Sequence, residues 1–257
     1  MFHRWRHPTR CYAICAVARS GSNLLSDGLR ATGKAGRPKQ FFCEKLESGY
    51  GEKHGFDPVR DYAGYVRGIV ESTASRNGVF GFRLMGWDLQ PFVRRLSQTG
   101  EFGEPEASDL EVLQTAFSRL QFVHICRRDR LRQAISKTRA LQTDLWKIGN
   151  GKSAIAEAKF DPELISHSIK DVIREEEIWS DFFTGNGIEP FRVAYEDLAK
   201  DYHGVVEAVL NFLHIRLPRG TAVGDPTTIR QSDATSDEWQ TRYRALAAER
   251  SDLLPYV

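Results

Sequence analysis

The sequence predicts an α/β fold in which a mainly parallel sheet is flanked by helices. Two observations lead to this prediction. Four short runs rich in β-branched and aromatic residues are bounded by polar residues or glycine, as strands are, and they cover 11–17, 79–85, 120–127 and 190–195. Helical periodicity fills most of the chain between these runs. Strands that alternate with helices favour a parallel sheet with both faces covered.

The helices are predicted from their periodicity and their end signals. Helical spacing of apolar residues continues through 130–146, directly after the third strand. The clearest helix follows Asp161, which can cap it, and Pro162 suits its first turn. Gly185 can end that helix. Both segments fit the flanking layers of the predicted fold.

Composition limits the class of protein. The chain has 257 residues, of which 41% are hydrophobic and 27% charged, so it can form an ordinary globular core. Its formal net charge of +2 argues against a general nucleic-acid binder. We expect one domain over 1–257 with a short basic N-terminal arm over 1–10. Two polar, glycine-bearing stretches, 99–108 and 148–160, are expected to be surface insertions.

Cysteine spacing and the absence of long apolar runs indicate the cellular compartment in which we expect the protein. The basic start "MFHRWRHPTR" has no apolar run behind it, and no window approaches the roughly 18 apolar residues of a membrane span. Cys11 and Cys15 lie on one predicted strand, about 13 Å apart, too far for a disulfide. With Cys43 and Cys126, they are predicted to be reduced thiols in a cytoplasmic protein without an integral membrane segment.

A polar loop separates the first predicted strand from a helix. Its residues are Arg19, Ser20, Gly21, Ser22 and Asn23. A helix N-terminus offers unpaired N–H groups and a partial positive charge, and glycine lets a ligand approach the backbone closely. The serine, asparagine and arginine side chains add hydrogen-bond donors. This loop alone predicts an anion site, with a serine-capped helix that binds nothing as the alternative.

The loop departs from two common catalytic loops. A Walker A loop needs a lysine in G-x-x-x-x-G-K-[ST], and a nucleophile elbow needs G-x-S-x-G; "ARSGSN" matches neither. A magnesium-dependent kinase is therefore disfavoured. A sulfuryl group carries less negative charge than a terminal phosphoryl group, so a loop without the lysine suits a sulfuryl donor.

Further motifs follow the loop in a characteristic order. "RSGSNLL" is followed by "LRATGKAGRP", by "GVFGFRLM" with Arg83, by "HICRRDRLRQAIS" and "RALQTDLW", and by "IRQSDATSDEWQTRYR". Together these stretches resemble the motifs of the bacterial trehalose 2-sulfotransferases. Enzymes of that family use 3′-phosphoadenosine 5′-phosphosulfate (PAPS), and the resemblance implies that the predicted parallel sheet is P-loop-like, of the sulfotransferase type.

The resemblance implies a set of donor-binding residues. Residues 19–23 would hold the 5′-phosphosulfate of PAPS, and Arg19 would also stabilise charge on the bridging oxygen. The 3′-phosphate would be held by Arg127, Ser136, Arg230 and Gln231. No metal is implied. The acceptor would be a small-molecule carbohydrate or glycolipid, and a homodimer is expected by analogy with the family.

The acceptor side departs from the family pattern. The trehalose enzymes place a general-base glutamate where this chain has Gln40, and a sugar-binding glutamine where it has Ala18. An amide cannot accept a proton at neutral pH. Glu44 is the candidate replacement, since it shares a face with Gln40 if the segment is helical. Glu47 and His54 follow, and Glu47 is expected to be a solvated surface carboxylate. A catalytically impaired nucleotide-binding protein of the same fold is the alternative.

Overall fold

The computed structural model describes residues 8–104, 106–146, 155–218, 222–226 and 234–253. Its strands are β1 (Arg10–Ala16), β2 (Val79–Met85), β3 (Leu120–Cys126) and β4 (Phe191–Ala194). They pair in parallel in the order β2-β1-β3-β4. The α/β prediction is confirmed, and each predicted strand end lies within one residue of the observed end.

Helices connect and follow these strands. Within the described ranges they are α1 (Ser22–Ala31), α2 (Glu44–His54), α3 (Tyr62–Thr73), α4 (Gly86–Ser97), α5 (Asp109–Ala116), α6 (Arg130–Thr143), α7 (Pro162–Gly185), α8 (Tyr195–Lys200), α9 (Tyr202–Phe212) and α10 (Ala234–Glu249). Helix α6 ends three residues before the predicted end, because Asp144 adopts a left-handed conformation with φ 50°. Helix α7 begins as predicted, with the Asp161 carboxylate accepting from the Leu164 N–H at 2.8 Å.

Both faces of the sheet are buried. Along β1, Cys11, Ala13 and Cys15 pack on one face, against side chains of α3, α4, α5 and α7. Tyr12 and Ile14 alternate with them and pack on the other face, against α1, α8 and α9. A smaller cluster joins α6, α7 and α10. The sheet is therefore the middle of three layers.

The four cysteines are free. Burial raises the pKa of the Cys11 thiol to about 12 and that of Cys15 well above its ordinary value. Across the described ranges, no helix is both long enough and apolar enough to cross a bilayer. The same ranges contain no group of three or more histidine, cysteine, aspartate or glutamate side chains that could hold a metal ion.

The strand order creates a crevice at one edge of the sheet. From β1 the chain enters α1, which covers one face, whereas from β3 it enters α6, which packs with α7 of the opposite face. Loops that leave neighbouring parallel strands toward opposite faces open a crevice at the carboxyl ends of those strands, where ligands bind in open α/β sheets. Here the loops after β1 and β3 border that crevice.

Candidate active site

The loop after β1 is held in an unusual backbone conformation. Arg19 and Gly21 both lie in the left-handed region, with φ values of 65° and 87°. A Cβ atom on Gly21 would lie 2.5 Å from Cδ2 of Tyr195, so a larger residue would collide with that ring. Glycine is therefore required here both by the backbone conformation and by the close packing of Tyr195.

Helix α1 begins without the usual side-chain cap. Its N-cap residue is Gly21, and its first turn contains no acidic residue. By contrast, α3, α6 and α7 are capped by the carboxylates of Asp61, Asp129 and Asp161. The alternative of a serine-capped helix is therefore wrong. The positive end of α1 is left open toward the crevice.

Three arginines converge beside this helix end. The Arg19 Nε–H donates to Ser136 Oγ at 2.9 Å, so the loop is joined to α6. Burial, together with the neighbouring charges of Arg127 and Arg139, lowers the pKa of Arg19 to about 10. The Arg127 guanidinium lies 4.7 Å from the centre of the Tyr195 ring. Cations that are buried together in this way favour an anionic ligand between them.

Several buried donors at this site have no acceptor. Among the described residues, Ser20 Oγ, Arg83 Nε and Arg127 Nε are buried and make no hydrogen bond. Arg83 does donate through Nη1 to Asn23 Oδ1 in the loop. A buried donor without a partner costs about 1–3 kcal/mol, and native proteins rarely leave one unpaired. An anionic ligand in the crevice would supply acceptors for donors of this kind.

Helix α8 holds the backbone next to Arg127 in place. The Glu196 carboxylate accepts from the N–H groups of Arg128 at 3.1 Å and of Asp129 at 3.3 Å. The exposed side chain of Arg128 pairs outward with Asp197. Of two consecutive arginines, only Arg127 is therefore turned toward the crevice.

Helix α10 is attached to α6 beside the arginines. The Arg139 Nη1–H donates to Ser236 Oγ at 2.8 Å, and Gln240 Nε2 donates to the Asp129 carboxylate at 2.9 Å. Arg230 and Gln231, which the resemblance assigns to the 3′-phosphate, lie outside the described residues.

The segment that contains Gln40 runs alongside β2. Gly36 packs so closely against β2 that a Cβ atom would lie 2.9 Å from the Val79 carbonyl oxygen. Four residues after Val79, the Arg83 N–H donates to the Lys39 carbonyl at 2.9 Å. Gln40 therefore comes next to the carboxyl end of β2. There its Nε2 donates to Asp88 Oδ2 at 2.8 Å.

Glu44 and Glu47 differ from their predicted settings. Helix α2 begins only at Glu44, so Gln40 and Glu44 do not share a helix face, and the Glu44 side chain is exposed. The expectation of a solvated Glu47 is wrong, because its side chain is 2% exposed. It accepts from the Tyr62 hydroxyl at 2.9 Å and pairs with Arg95. Helices α3 and α4 pack over this carboxylate and supply both partners.

A family model of the Stf0 sulphotransferases matches residues 11–246. The chain belongs to this sulfotransferase family. It is 31% identical to a trehalose 2-sulfotransferase of Mycolicibacterium smegmatis, over 93% of this chain and 95% of the relative. Identity to a trehalose 2-sulfotransferase of Mycobacterium tuberculosis is 28%, over 93% and 96%. These similarities extend over nearly the whole chain, and the chemistry of the protein is sulfuryl transfer.

Solved structures give a more distant match. The sulfotransferase domain of the Synechococcus PCC 7002 olefin synthase matches with a TM-score of 0.45 and 13% identity, over 98% of this chain and all of that domain. A sulfotransferase from Alicyclobacillus acidocaldarius matches with a TM-score of 0.45 and 14% identity, over 96% and 94%.

The candidate site also contains residues to which the sequence analysis assigned no part in binding or catalysis. Tyr195 packs on Gly21 and on Arg127, and Arg139 completes the arginine cluster. Asp88 contacts Gln40. For Asp88 the sequence did contain a signal, since it is a polar residue that closely follows a predicted strand, as Arg19 does.

A buried charged cluster joins α6 to α7. Lys137 follows Ser136, and its Nζ lies 3.0 Å from Asp171 Oδ2 and 3.7 Å from Glu175 Oε1. The pKa of Glu175 is raised to about 8. Burial is the main cause, the charges of Asp171 and Asp88 add to it, and the charge of Lys137 acts in the opposite direction. Glu175 is therefore a titratable group near neutral pH, close to the end of β2 where Asp88 lies.

Proposed function

We propose that this sulfotransferase transfers the sulfuryl group of PAPS to a hydroxyl of a small-molecule carbohydrate or glycolipid. The observation that carries the proposal is the group of buried donors without partners, formed by Ser20, Arg83 and Arg127 at the uncapped start of α1. A donor with phosphate and sulfate groups supplies the acceptors that these side chains lack. Family membership favours a working transferase over a protein that only binds nucleotides.

The donor would span the crevice between β1 and β3. We assign the 5′-phosphosulfate to residues 19–23, where α1 begins and Gly21 leaves the backbone accessible. We assign the 3′-phosphate to Arg127 and Ser136, with Arg230 and Gln231 as further ligands. Arg19 donates to Ser136 and lies close to Arg127, which supports a position between the two anionic groups. Its charge would stabilise the bridging oxygen as the bond to sulfur breaks.

The acceptor class is supported by the relatives. Both curated relatives are named trehalose 2-sulfotransferases, and trehalose is a disaccharide. A carbohydrate hydroxyl is therefore the acceptor that we propose, and trehalose is the first compound to test. A homodimer and a cytoplasmic location stay predictions.

Calorimetry with two nucleotides tests the donor assignment. Adenosine 3′,5′-bisphosphate, the desulfated donor product, should bind far more tightly than AMP, because only the bisphosphate has a group for Arg127. The Arg127→Ala variant should lose about tenfold to 150-fold in affinity for the bisphosphate, as expected for charge-assisted hydrogen bonds of about 1.5–3 kcal/mol. Its affinity for AMP should change little.

The neighbouring arginine provides the matched control. Arg128→Ala removes the same charge one position along the chain, from an exposed side chain that pairs with Asp197. Its bisphosphate affinity should remain within about twofold of wild type. Equal affinity of the wild-type protein for AMP and the bisphosphate would contradict the proposed donor.

A further inference from the structure

Transfer of a sulfuryl group to a hydroxyl releases a proton, and the donor-side side chains that the structure describes are poorly suited to accept it. The side chains assembled there are arginines, serines and an asparagine. Protonated guanidinium groups and neutral hydroxyls are poor proton acceptors at neutral pH. A carboxylate is the usual alternative to histidine for this task.

Asp88 is placed at the same sheet edge as the anion loop. In the parallel pairing of β1 with β2, Ala16 lies opposite Met85. Arg19 follows Ala16 by three residues, and Asp88 follows Met85 by three residues. Because paired strands lie about 4.8 Å apart, the two short connections start side by side at the carboxyl edge.

A buried arginine links Asp88 to the loop. Arg83 Nη1 donates to Asn23 Oδ1, and the charge of Arg83 also lowers the pKa of Asp88. Arg83 therefore lies between the start of α1 and this carboxylate.

Other carboxylates near this edge are less suited to accept a proton. The pKa of Glu175 is raised to about 8, mainly by burial, so this group keeps its own proton at neutral pH. The remaining three are already engaged. Glu47 pairs with Arg95, Glu196 accepts from two backbone N–H groups, and Asp129 caps α6. Among the residues that the structure describes, no cation forms an ion pair with Asp88. Its hydrogen-bond donors are neutral: the amide of Gln40 at 2.8 Å, and the side chains of Cys43 and Trp87. A neutral donor orients the carboxylate and leaves it able to take up a proton.

The environment of Asp88 suits an acceptor of protons. Its side chain is 8% exposed, and the neighbouring Trp87 is 41% exposed, so a substrate can reach this turn of α4. Burial raises the pKa of Asp88, although hydrogen bonds from Gln40, Cys43 and Trp87 oppose that effect. A raised pKa makes a carboxylate a stronger base.

On the basis of the sulfuryl transfer proposed above, we propose that Asp88 is the general base of this enzyme and that Gln40 positions it. As the acceptor oxygen forms its bond to sulfur, its proton moves to the Asp88 carboxylate. The bond between sulfur and the bridging oxygen of PAPS breaks, and its electron pair leaves with adenosine 3′,5′-bisphosphate. The products are the sulfate ester, the bisphosphate and a protonated Asp88, which later releases its proton to water.

The Asp88→Asn variant tests this role. Two acceptor probes are used with radiolabelled PAPS: trehalose, and water, whose attack hydrolyses PAPS and needs no sugar site. We expect kcat to fall at least 100-fold with both probes, the usual effect of losing a general base. The affinity for adenosine 3′,5′-bisphosphate should stay within twofold of wild type. A variant that retains kcat within fivefold of wild type would overturn the proposal.

A second hydrogen bond on α4 supplies the matched control. Gln90 Nε2 donates to Asp109 Oδ2, the same amide–carboxylate contact as in the Gln40–Asp88 pair. Asp109→Asn should leave kcat within about threefold of wild type. Gln40→Ala removes the contact to Asp88 but keeps the carboxylate, and it should cost less than a tenth of the Asp88→Asn effect. Equal losses in Gln40→Ala and Asp88→Asn would show a structural role and contradict the assignment.

An exchange variant covers the case in which Asp88→Asn does not fold. The double substitution Gln40→Glu with Asp88→Asn retains an amide–carboxylate pair but moves the carboxylate to position 40. We expect it to transfer at least tenfold faster than Asp88→Asn. A double variant that binds the bisphosphate normally but transfers nothing would contradict a base at this pair.

Two other results separate the hypotheses. Loss of transfer in Glu44→Gln with normal transfer in Asp88→Asn would identify Glu44 as the base and overturn the assignment to Asp88. A wild-type protein that prefers AMP, or that consumes PAPS with neither probe, would contradict the proposed function itself.

Discussion

The two sides of the crevice satisfy their polar groups in opposite ways. On the donor side, Ser20, Arg83 and Arg127 keep buried donors without partners among the described residues. On the acceptor side, Gln40 and Asp88 hydrogen-bond to each other. A side that always receives the same polyanion can hold its donors ready for that ligand. The acceptor side binds a hydroxyl, which needs only one proton acceptor. Its polar side chains can therefore remain hydrogen-bonded to each other, as Gln40 and Asp88 are.

The largest expected effect comes from a substitution of Gly21 on the donor side. Gly21→Ala adds a Cβ atom that would lie 2.5 Å from the Tyr195 ring, at a residue with φ 87°. Strain and displacement of Tyr195 together should cost about 3 kcal/mol of bisphosphate binding, roughly a 150-fold loss. Calorimetric titration measures this effect.

A second glycine in the left-handed region provides a control that distinguishes the effect of the steric collision with Tyr195 from the effect of backbone strain. Gly33 has φ 64° and nothing within 4 Å of its Cβ position. Gly33→Ala should therefore cost about 1 kcal/mol of folding stability and leave bisphosphate binding unchanged. Similar binding losses in the two variants would show that the packing of Tyr195 on Gly21 is unimportant.

A smaller effect is expected from pH and Glu175, which lies near Asp88. The folded-state pKa of about 8 exceeds the ordinary value of 4.5, so folded protein keeps a proton that the unfolded chain has released. The free energy of unfolding should therefore fall as pH rises between these two values. Glu175→Gln abolishes this titration, so its stability relative to wild type should rise by about 2 kcal/mol from pH 6 to pH 8.

Urea unfolding at the two pH values checks this expectation. Glu177→Gln changes an exposed carboxylate on the same helix and is the control. A stability difference between Glu175→Gln and wild type that stays constant with pH would show that Glu175 is ionised in the folded protein throughout this range.

The smallest expected effect is that of salt concentration, which tests whether the donor side is more highly charged than the acceptor side. Bisphosphate binding depends on Arg19, Arg127 and their neighbours, so its dissociation constant should rise about threefold to tenfold between 0.05 and 0.5 M NaCl. The KM for trehalose should change less than twofold, because the proposed acceptor side binds a neutral sugar. Equal salt dependence of the dissociation constant and of KM would contradict a difference in charge between the donor side and the acceptor side.

The positions of the strands and of the polar loop could be predicted from the sequence because their signals are local. Apolar runs mark β1 to β4, and Arg19 to Asn23 are consecutive. The Gln40–Asp88 pair joins residues 48 positions apart, so no local pattern indicates it. Glu47 was expected to be solvated because its neighbours in the sequence are polar. Its burial depends on Tyr62 and Arg95, which other helices supply.

Arg19 shows what this donor site means for protein engineering. An arginine with φ 65° is strained, and it lies beside two other guanidinium groups that disfavour its charge. Both disadvantages would be relieved by a small neutral residue that tolerates the left-handed region. Directed evolution for heat resistance alone would therefore select substitutions at this position and discard catalysis with them. A useful screen has to include turnover at every round, so that the strained arginine is retained while stability is gained elsewhere.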